Sequence, residues 1–291
     1  MKRRLCTLAG ALPFACVALA FGQTDSAPEH KRLAEGVQDN SFLIEEAYNQ
    51  EVGVVQHILN VIYTNDTHAS PDEHMWSFVF TQEWPAFSQS HQLSYTLPYS
   101  YLERGGHSTD GINDILLNYR YQALTESDTM PAFAPRLSLV LPTGDADKGF
   151  GNGVVGYQTS LPFSKIVNER TTVHFNAGAT FSPDVESHDL LSYNLGASAV
   201  YAVTSTFNLM LESTVNWTDE VNDRGHAERT VSAVISPGFR YAIDHKSIGA
   251  QTVFGIAAPI GLNSNTPNYG VFLYASFEHY FHRSKNGGGA K

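Results

Sequence analysis

The sequence predicts an all-β chain, a 12-stranded antiparallel transmembrane β-barrel of outer-membrane type that follows a cleaved signal peptide. Three observations predict it. Apolar residues recur at every second position from about residue 52 onward, and segments of this kind number twelve. The polar positions between them are mostly Ser, Thr, Asn and Gly, with few charges. No run after residue 50 approaches the roughly 18 consecutive apolar residues that a membrane helix needs.

Composition sets the outer limits. The 291 residues are 42% hydrophobic and 12% aromatic, which suits an ordered fold. With 18 Lys plus Arg against 29 Asp plus Glu, the net charge is −11, and that excludes a nucleic-acid binder held by phosphate charge. The same acidic balance leaves divalent cations open as weak partners.

The first element is a targeting sequence. Lys2, Arg3 and Arg4 precede an uncharged run from Leu5 to Phe21, with the small residues Ala18, Ala20 and Gly22 at its end. Residues 1–22 therefore read as a signal peptide. Both cysteines, Cys6 and Cys16, fall inside it, so the mature chain holds together without disulfides.

Residues 23–50 read as a separate periplasmic segment. Asp25 to Asn40 is polar, whereas Ser41 to Tyr48 combines an N-cap residue with apolar and acidic positions. Either a short helix rests at the periplasmic mouth, or the segment enters the lumen as a plug, with Glu45 and Glu46 as its charged contacts.

Residues 51–283 form the expected barrel, with strands at about 52–64, 74–84, 91–102, 112–123, 133–142, 154–163, 170–181, 190–203, 206–217, 229–241, 248–260 and 270–282. Val173 to Phe181 displays the pattern: Val173, Phe175, Ala177, Ala179 and Phe181 share one face, and His174, Asn176, Gly178 and Thr180 share the other. Leu195 and Leu211 continue the apolar face, and Ser198 and Glu212 the polar one. Connections after odd strands are rich in Asp, Gly, Asn and His, as in Thr143 to Gly153 and Thr218 to Glu228; Thr204 and Ser205 alone join two strands on the other side. Aromatics such as Trp76, Trp84, Tyr99, Tyr121, Trp217 and Tyr280 cluster near strand ends, where interfacial girdles lie. Residues 284–291 are a tail. A soluble β-sandwich also alternates, but its polar face carries many Lys and Glu, and this one does not.

A family resemblance rests on residues 111 to 163. Gly111-Ile-Asn-Asp114 leads into a strand, Pro135-Arg-Leu-Ser-Leu-Val-Leu141-Pro142-Thr143-Gly144 follows, and Gly149, Gly151, Gly153 and Gly156 come next. This pattern resembles the bacterial outer-membrane family described as transporters of the MetA pathway of phenol degradation. The resemblance implies a barrel that passes small solutes; it supplies no catalytic residue and names no proven substrate.

The residues themselves offer several chemistries. Gly151-Asn-Gly153-Val-Val-Gly156 matches a dinucleotide fingerprint in letters, but a strand follows it where a helix is required. Asp145 and Asp147 begin an oxygen-ligand set for a metal without completing one. A serine hydrolase, the enzymatic alternative, needs a hydroxyl beside an imidazole; His57 faces outward, and His174 faces inward beside Asn176 without a His-x-Ser run. The inward charges Asp114, Arg120, Arg136, Glu212, Arg240 and Glu278 are candidates for a constriction that orders a solute by charge, with mutual pairing as the plain alternative. The expectation is therefore a bacterial outer-membrane channel or passive transporter without enzyme activity or cofactor, contacting outer-membrane lipid and lipopolysaccharide. A lipid hydrolase, or a structural barrel whose acidic loops bind cations and lipopolysaccharide, is the alternative.

Overall fold

The computed structural model describes Val37 and residues 39–222 and 224–280. The expected signal peptide at 1–22, both cysteines and the expected tail at 284–291 lie outside the described residues.

Period-two alternation folds as expected, into strands that pair in chain order. They are β1 (Val54–Asp66), β2 (Glu73–Ala86), β3 (Ser88–Arg104), β4 (His107–Ile112 with Ile115–Tyr121), β5 (Ala132–Phe133 with Arg136–Leu141) and β6 (Gly156–Asn168). The second half comprises β7 (Thr171–Val185), β8 (His188–Ala202), β9 (Phe207–Val221), β10 (Ala227–His245), β11 (Ala250–Ala257 with Ile260–Gly261) and β12 (Tyr269–Tyr280). All neighbours are antiparallel, and β12 pairs back onto β1 from Val54↔Tyr280 to Asn65↔Tyr269. The sheet is a closed barrel of twelve strands, which leaves no free edge along its circumference. Among the described residues no helix is long and apolar enough to cross a membrane.

Alternation sorts the two faces. Leu195 and Leu211 are about half exposed on the outside, at 51% and 50%, while Ser198 and Glu212 beside them are buried inside, at 4% and 1%. Apolar side chains face outward over the full circumference and polar ones line the lumen, the reverse of a soluble protein and the arrangement lipid requires. Aromatic neighbours such as Tyr63 and Trp76, 4.9 Å apart, lie toward one rim.

The strands differ from expectation in extent. β9 and β10 continue their ladder up to Val221↔Ala227, so most of the loop expected from Thr218 to Glu228 is sheet. β5 and β11 break at Pro135 and Pro259, whose missing N–H groups cannot serve a ladder. No helix forms at Ser41 to Tyr48; that stretch is irregular and lies inside the barrel.

Candidate functional site

Val37 and residues 39–50 lie in the lumen, with Val37 at Arg240, Leu43 and Ile44 at mid-height beside Glu212, and Gln50 at Gln92 near the end where β1 starts. Wall side chains supply the hydrogen bonds that an isolated irregular segment lacks. The Glu212 carboxylate accepts from the N–H groups of Leu43 (3.0 Å) and Ile44 (3.3 Å). Ser164 Oγ accepts from Ala47 N at 2.8 Å, Gln122 Oε1 from Asn49 N at 3.0 Å and Gln92 Oε1 from Gln50 N at 2.8 Å. A helix would have used these donors internally; the barrel wall uses them instead.

Three arginines hold the segment. Arg136 donates from Nε to both Glu45 carboxylate oxygens at 3.0 Å, and Ser160 Oγ donates to the same carboxylate at 2.8 Å. Arg120 lies 3.4 Å from Glu45 and donates to the carbonyls of Glu46 (3.2 Å) and Tyr48 (2.8 Å). Arg240 donates to the carbonyls of Val37, Asp39 and Asn40, and its guanidinium lies 3.6 Å from Glu46. Charge-assisted bonds of this kind are the strong ones, and here they fall on backbone as well as carboxylates.

The two glutamates of the segment differ electrostatically, and both lie outside the strands. Burial pushes Glu45 up, but Arg136 and then Arg120 outweigh it and hold the carboxyl below its ordinary value. At Glu46 burial wins over Arg240, and its carboxyl rises to about 8. Its Oε1 faces His174 Nε2 at 3.5 Å, and neither atom has a hydrogen-bond partner otherwise. A protonated Glu46 suits that arrangement, because it brings a proton to the imidazole.

Apolar contacts complete the seat. Phe42 stacks on Phe272 with ring centroids 5.3 Å apart and tilts against Tyr274 at 5.2 Å. Its ring lies over Gly255, where a Cβ would overlap it. Gly196 likewise leaves room for Ile44. Ser41 Oγ meets Ser198 Oγ at 3.0 Å.

Beside the segment the lumen opens into two cavities of about 290 and 400 Å³, the second of which extends toward the outer loops at Thr180, Ser192 and Thr218. Leu43, Glu45 and Arg136 line both of them and form the ridge between. Hydroxyls and amides line the larger one, including Asn176, Thr180, Ser192, Asn194 and Asn216.

The structure thus brings Arg120, Arg136, Arg240 and Glu212 around Glu45 and Glu46. Two expected members lie elsewhere. Asp114 sits in the break of β4, where its carboxylate accepts from Gly144 N (2.9 Å) and Asn152 N (3.1 Å) and ties down the 142–155 loop. Gly151 packs against that carboxylate, so the glycines of this run serve a tight loop. Glu278 is on the inner face of β12, opposite Gln56 and Gln251, and forms no ion pair among the described residues. Asp145 pairs with Lys148 at 3.1 Å, and among the described residues no group of three metal-ligating side chains exists around Asp145 and Asp147.

Sequence reasoning missed Asp39 and Ser164. Asp39 accepts from Gln56, Tyr274 and Ser276, and nothing in the local sequence marks it. Ser164 lies directly across the β6–β7 hairpin from His174, with Oγ 2.8 Å from Nδ1. Counting back from the Glu169-Arg170 turn would have found that pair. Both side chains are about 1% exposed, and Ser164 also accepts from Ala47 N, so the pair is a buried polar contact under the segment.

A closed sheet with an apolar outside, a polar inside and a lumen entered by its own chain defines a transmembrane β-barrel of outer-membrane type. The chain belongs to the family described as the MetA-pathway of phenol degradation, whose model matches residues 45–278. Its fold is similar to that of an outer membrane channel from Pseudomonas putida F1, with a TM-score of 0.63 and 14% identity over 80% of this chain and 97% of that one. Looser similarity extends to the NanC porin (TM-score 0.43, 8% identity, covering 77% of this chain and 98% of that one). The TodX monoaromatic hydrocarbon channel is equally distant (TM-score 0.43, 10% identity, 80% and 91%). No curated protein matches the chain in sequence.

Proposed function

We propose that the protein is a passive outer-membrane channel for small solutes whose permeability is set by residues 37–50. The observation that carries this reading is the manner of attachment: the segment is bound to the wall by side chains and adds no strand to the sheet. Contacts of that kind release without unfolding the barrel. The lumen left behind would be lined by Ser, Gln, Asn and Arg, which water solvates readily. Family membership and the barrel's likeness to a known channel support the same reading. In this scheme Arg120, Arg136, Arg240 and Glu212 are the constriction residues, and Glu45 and Glu46 are the plug residues.

The hydrolase reading is weaker. Ser164 and His174 meet, but inside a closed lumen and under the inserted segment, away from the lipid such an enzyme would cleave. Planar-bilayer recording tests the proposal. Removal of residues 23–50 should raise single-channel conductance by about twofold or more if a mobile obstruction is being removed. A truncated barrel that folds and conducts no better than the full chain would show that the wall alone sets permeability.

A further inference from the structure

The larger outer cavity carries an inference about what the channel admits, and it rests on the channel reading above. Three successive strands, β7 to β9, turn Asn176, Thr180, Ser192, Asn194, Asn216 and Thr218 into a volume of about 400 Å³. That is the size of a small-ligand site. These side chains face the lumen and yet are partly exposed, so the cavity is wet. Several of their polar atoms are uncommitted. The Asn194 amide leans over Gly178 and makes no hydrogen bond to protein among the described residues; Asn176 uses only its oxygen, toward Ser160, and Asn216 only its nitrogen, toward Ser232.

The charge here is already spent. Glu45 and Arg136 form the floor; Arg120, which shares Glu45, also has Glu83 at 3.9 Å, so the two guanidiniums meet two carboxylates, and the rest of the Arg136 guanidinium is taken by Asn118, Ser138 and Gln158. An ionic solute entering would lose water and find no free opposite charge. An apolar solute would strip water from amides and leave them unpaired. A neutral solute with many hydroxyls meets neither penalty, since each hydroxyl both donates and accepts, as amides and hydroxyls of the wall require. We propose that this cavity is a recognition site for neutral polyhydroxylated solutes of about hexose size, lying ahead of the obstructed lumen.

The full-length barrel in detergent allows a direct test by saturation-transfer NMR with four probes: glucose, gluconate, glucosamine and phenol. Glucose should bind, and the other three should bind about tenfold more weakly, a difference of roughly one or two hydrogen bonds. Asn194→Leu with Asn216→Leu should abolish the glucose signal. Asn194→Asp, which keeps the shape and adds an unpaired negative charge, should fold as the parent does and shift preference from glucose to glucosamine. Binding of gluconate, glucosamine or phenol as good as that of glucose would overturn the proposal, as would an unchanged preference in Asn194→Asp. Bilayer recordings on the same preparation separate the two readings. Glucose binding without conductance in the full or shortened chain removes the channel and keeps the site; conductance without glucose binding does the reverse.

Discussion

Arg120 and Arg136 stand directly opposite one another on β4 and β5, and the single carboxylate of Glu45 lies within 3.4 Å of both. Like charges at facing ladder positions repel, so this pair needs an anion, and the inserted segment supplies it. Glu83 is the next nearest carboxylate, 3.9 Å from Arg120. Glu45→Gln should therefore weaken docking of the segment by about 3 to 5 kcal/mol, as expected when one partner of a buried pair is removed. Chymotrypsin should then cut within residues 37–50 much faster, after Phe42, Leu43 or Tyr48, while the heat-resistant barrel persists. Unchanged cleavage would mean that the other contacts suffice.

The Phe42 ring and Gly255 should behave as one unit. Phe42→Ala removes an aromatic anchor and should cost docking about 3 kcal/mol. Gly255→Ala places a methyl where the ring sits and should expel it. The double variant should be no worse than the more damaging single one, because both act on one contact. Additive losses in a proteolysis assay would separate the two residues.

Conductance should depend on pH in two limbs. Glu45 is held below its ordinary value when docked, so its contribution is present above about pH 4.5 and is lost as pH falls through the lowered value. Glu46 is raised from 4.5 to about 8, so its contribution is complete below 4.5 and is lost as pH rises through about 8. Docking should be tightest near pH 4.5 to 5, and conductance lowest there. Glu46→Gln should flatten the alkaline limb and leave the acid one; a wild-type profile without limbs would contradict the assignment.

The lipid-facing phase has a simple check. Leu195→Arg and Leu211→Arg should each cost about 2 to 4 kcal/mol, whereas Thr218→Arg, at the outer cavity, should cost less than about 1. The fraction of heat-resistant folded barrel on a gel measures this. Ser198 also faces inward but does not serve as a tolerant control, since its hydroxyl meets Ser41 and an arginine there would displace the segment.

Much of the wall was legible in the sequence, because lipid and lumen impose opposite demands on alternate residues. Val173 to Phe181 shows both faces in nine letters, and the structure keeps that phase, with Phe175 outside and His174 inside. The inserted segment was only half legible. Its charges could be matched to Arg120, Arg136 and Arg240 because their depth follows from strand position. Its conformation could not, since the expected helix at Ser41 to Tyr48 loses to wall partners that local sequence does not reveal: Glu212, Ser164, Gln122 and Gln92 take the donors of Leu43, Ile44, Ala47, Asn49 and Gln50. Asp114 misled for a related reason. An inward acidic residue at a strand break was read as part of a constriction, but it caps the backbone of a loop 30 residues further on.

The most direct test of the gate is a reversible lock between Ser41 and Ser198, whose hydroxyl oxygens lie 3.0 Å apart across the segment and β8. Both native cysteines fall within residues 1–22, so in a chain prepared from Gln23 onward Ser41→Cys with Ser198→Cys introduces the sole thiol pair. Single-channel conductance should be recorded on the oxidised protein, with the disulfide verified by gel shift, and again after reductant is added to the same bilayer. Low, steady conductance when oxidised and a rise on reduction is the predicted result. Equal conductance in the two states, with the disulfide fully formed, would contradict a gate made of residues 37–50.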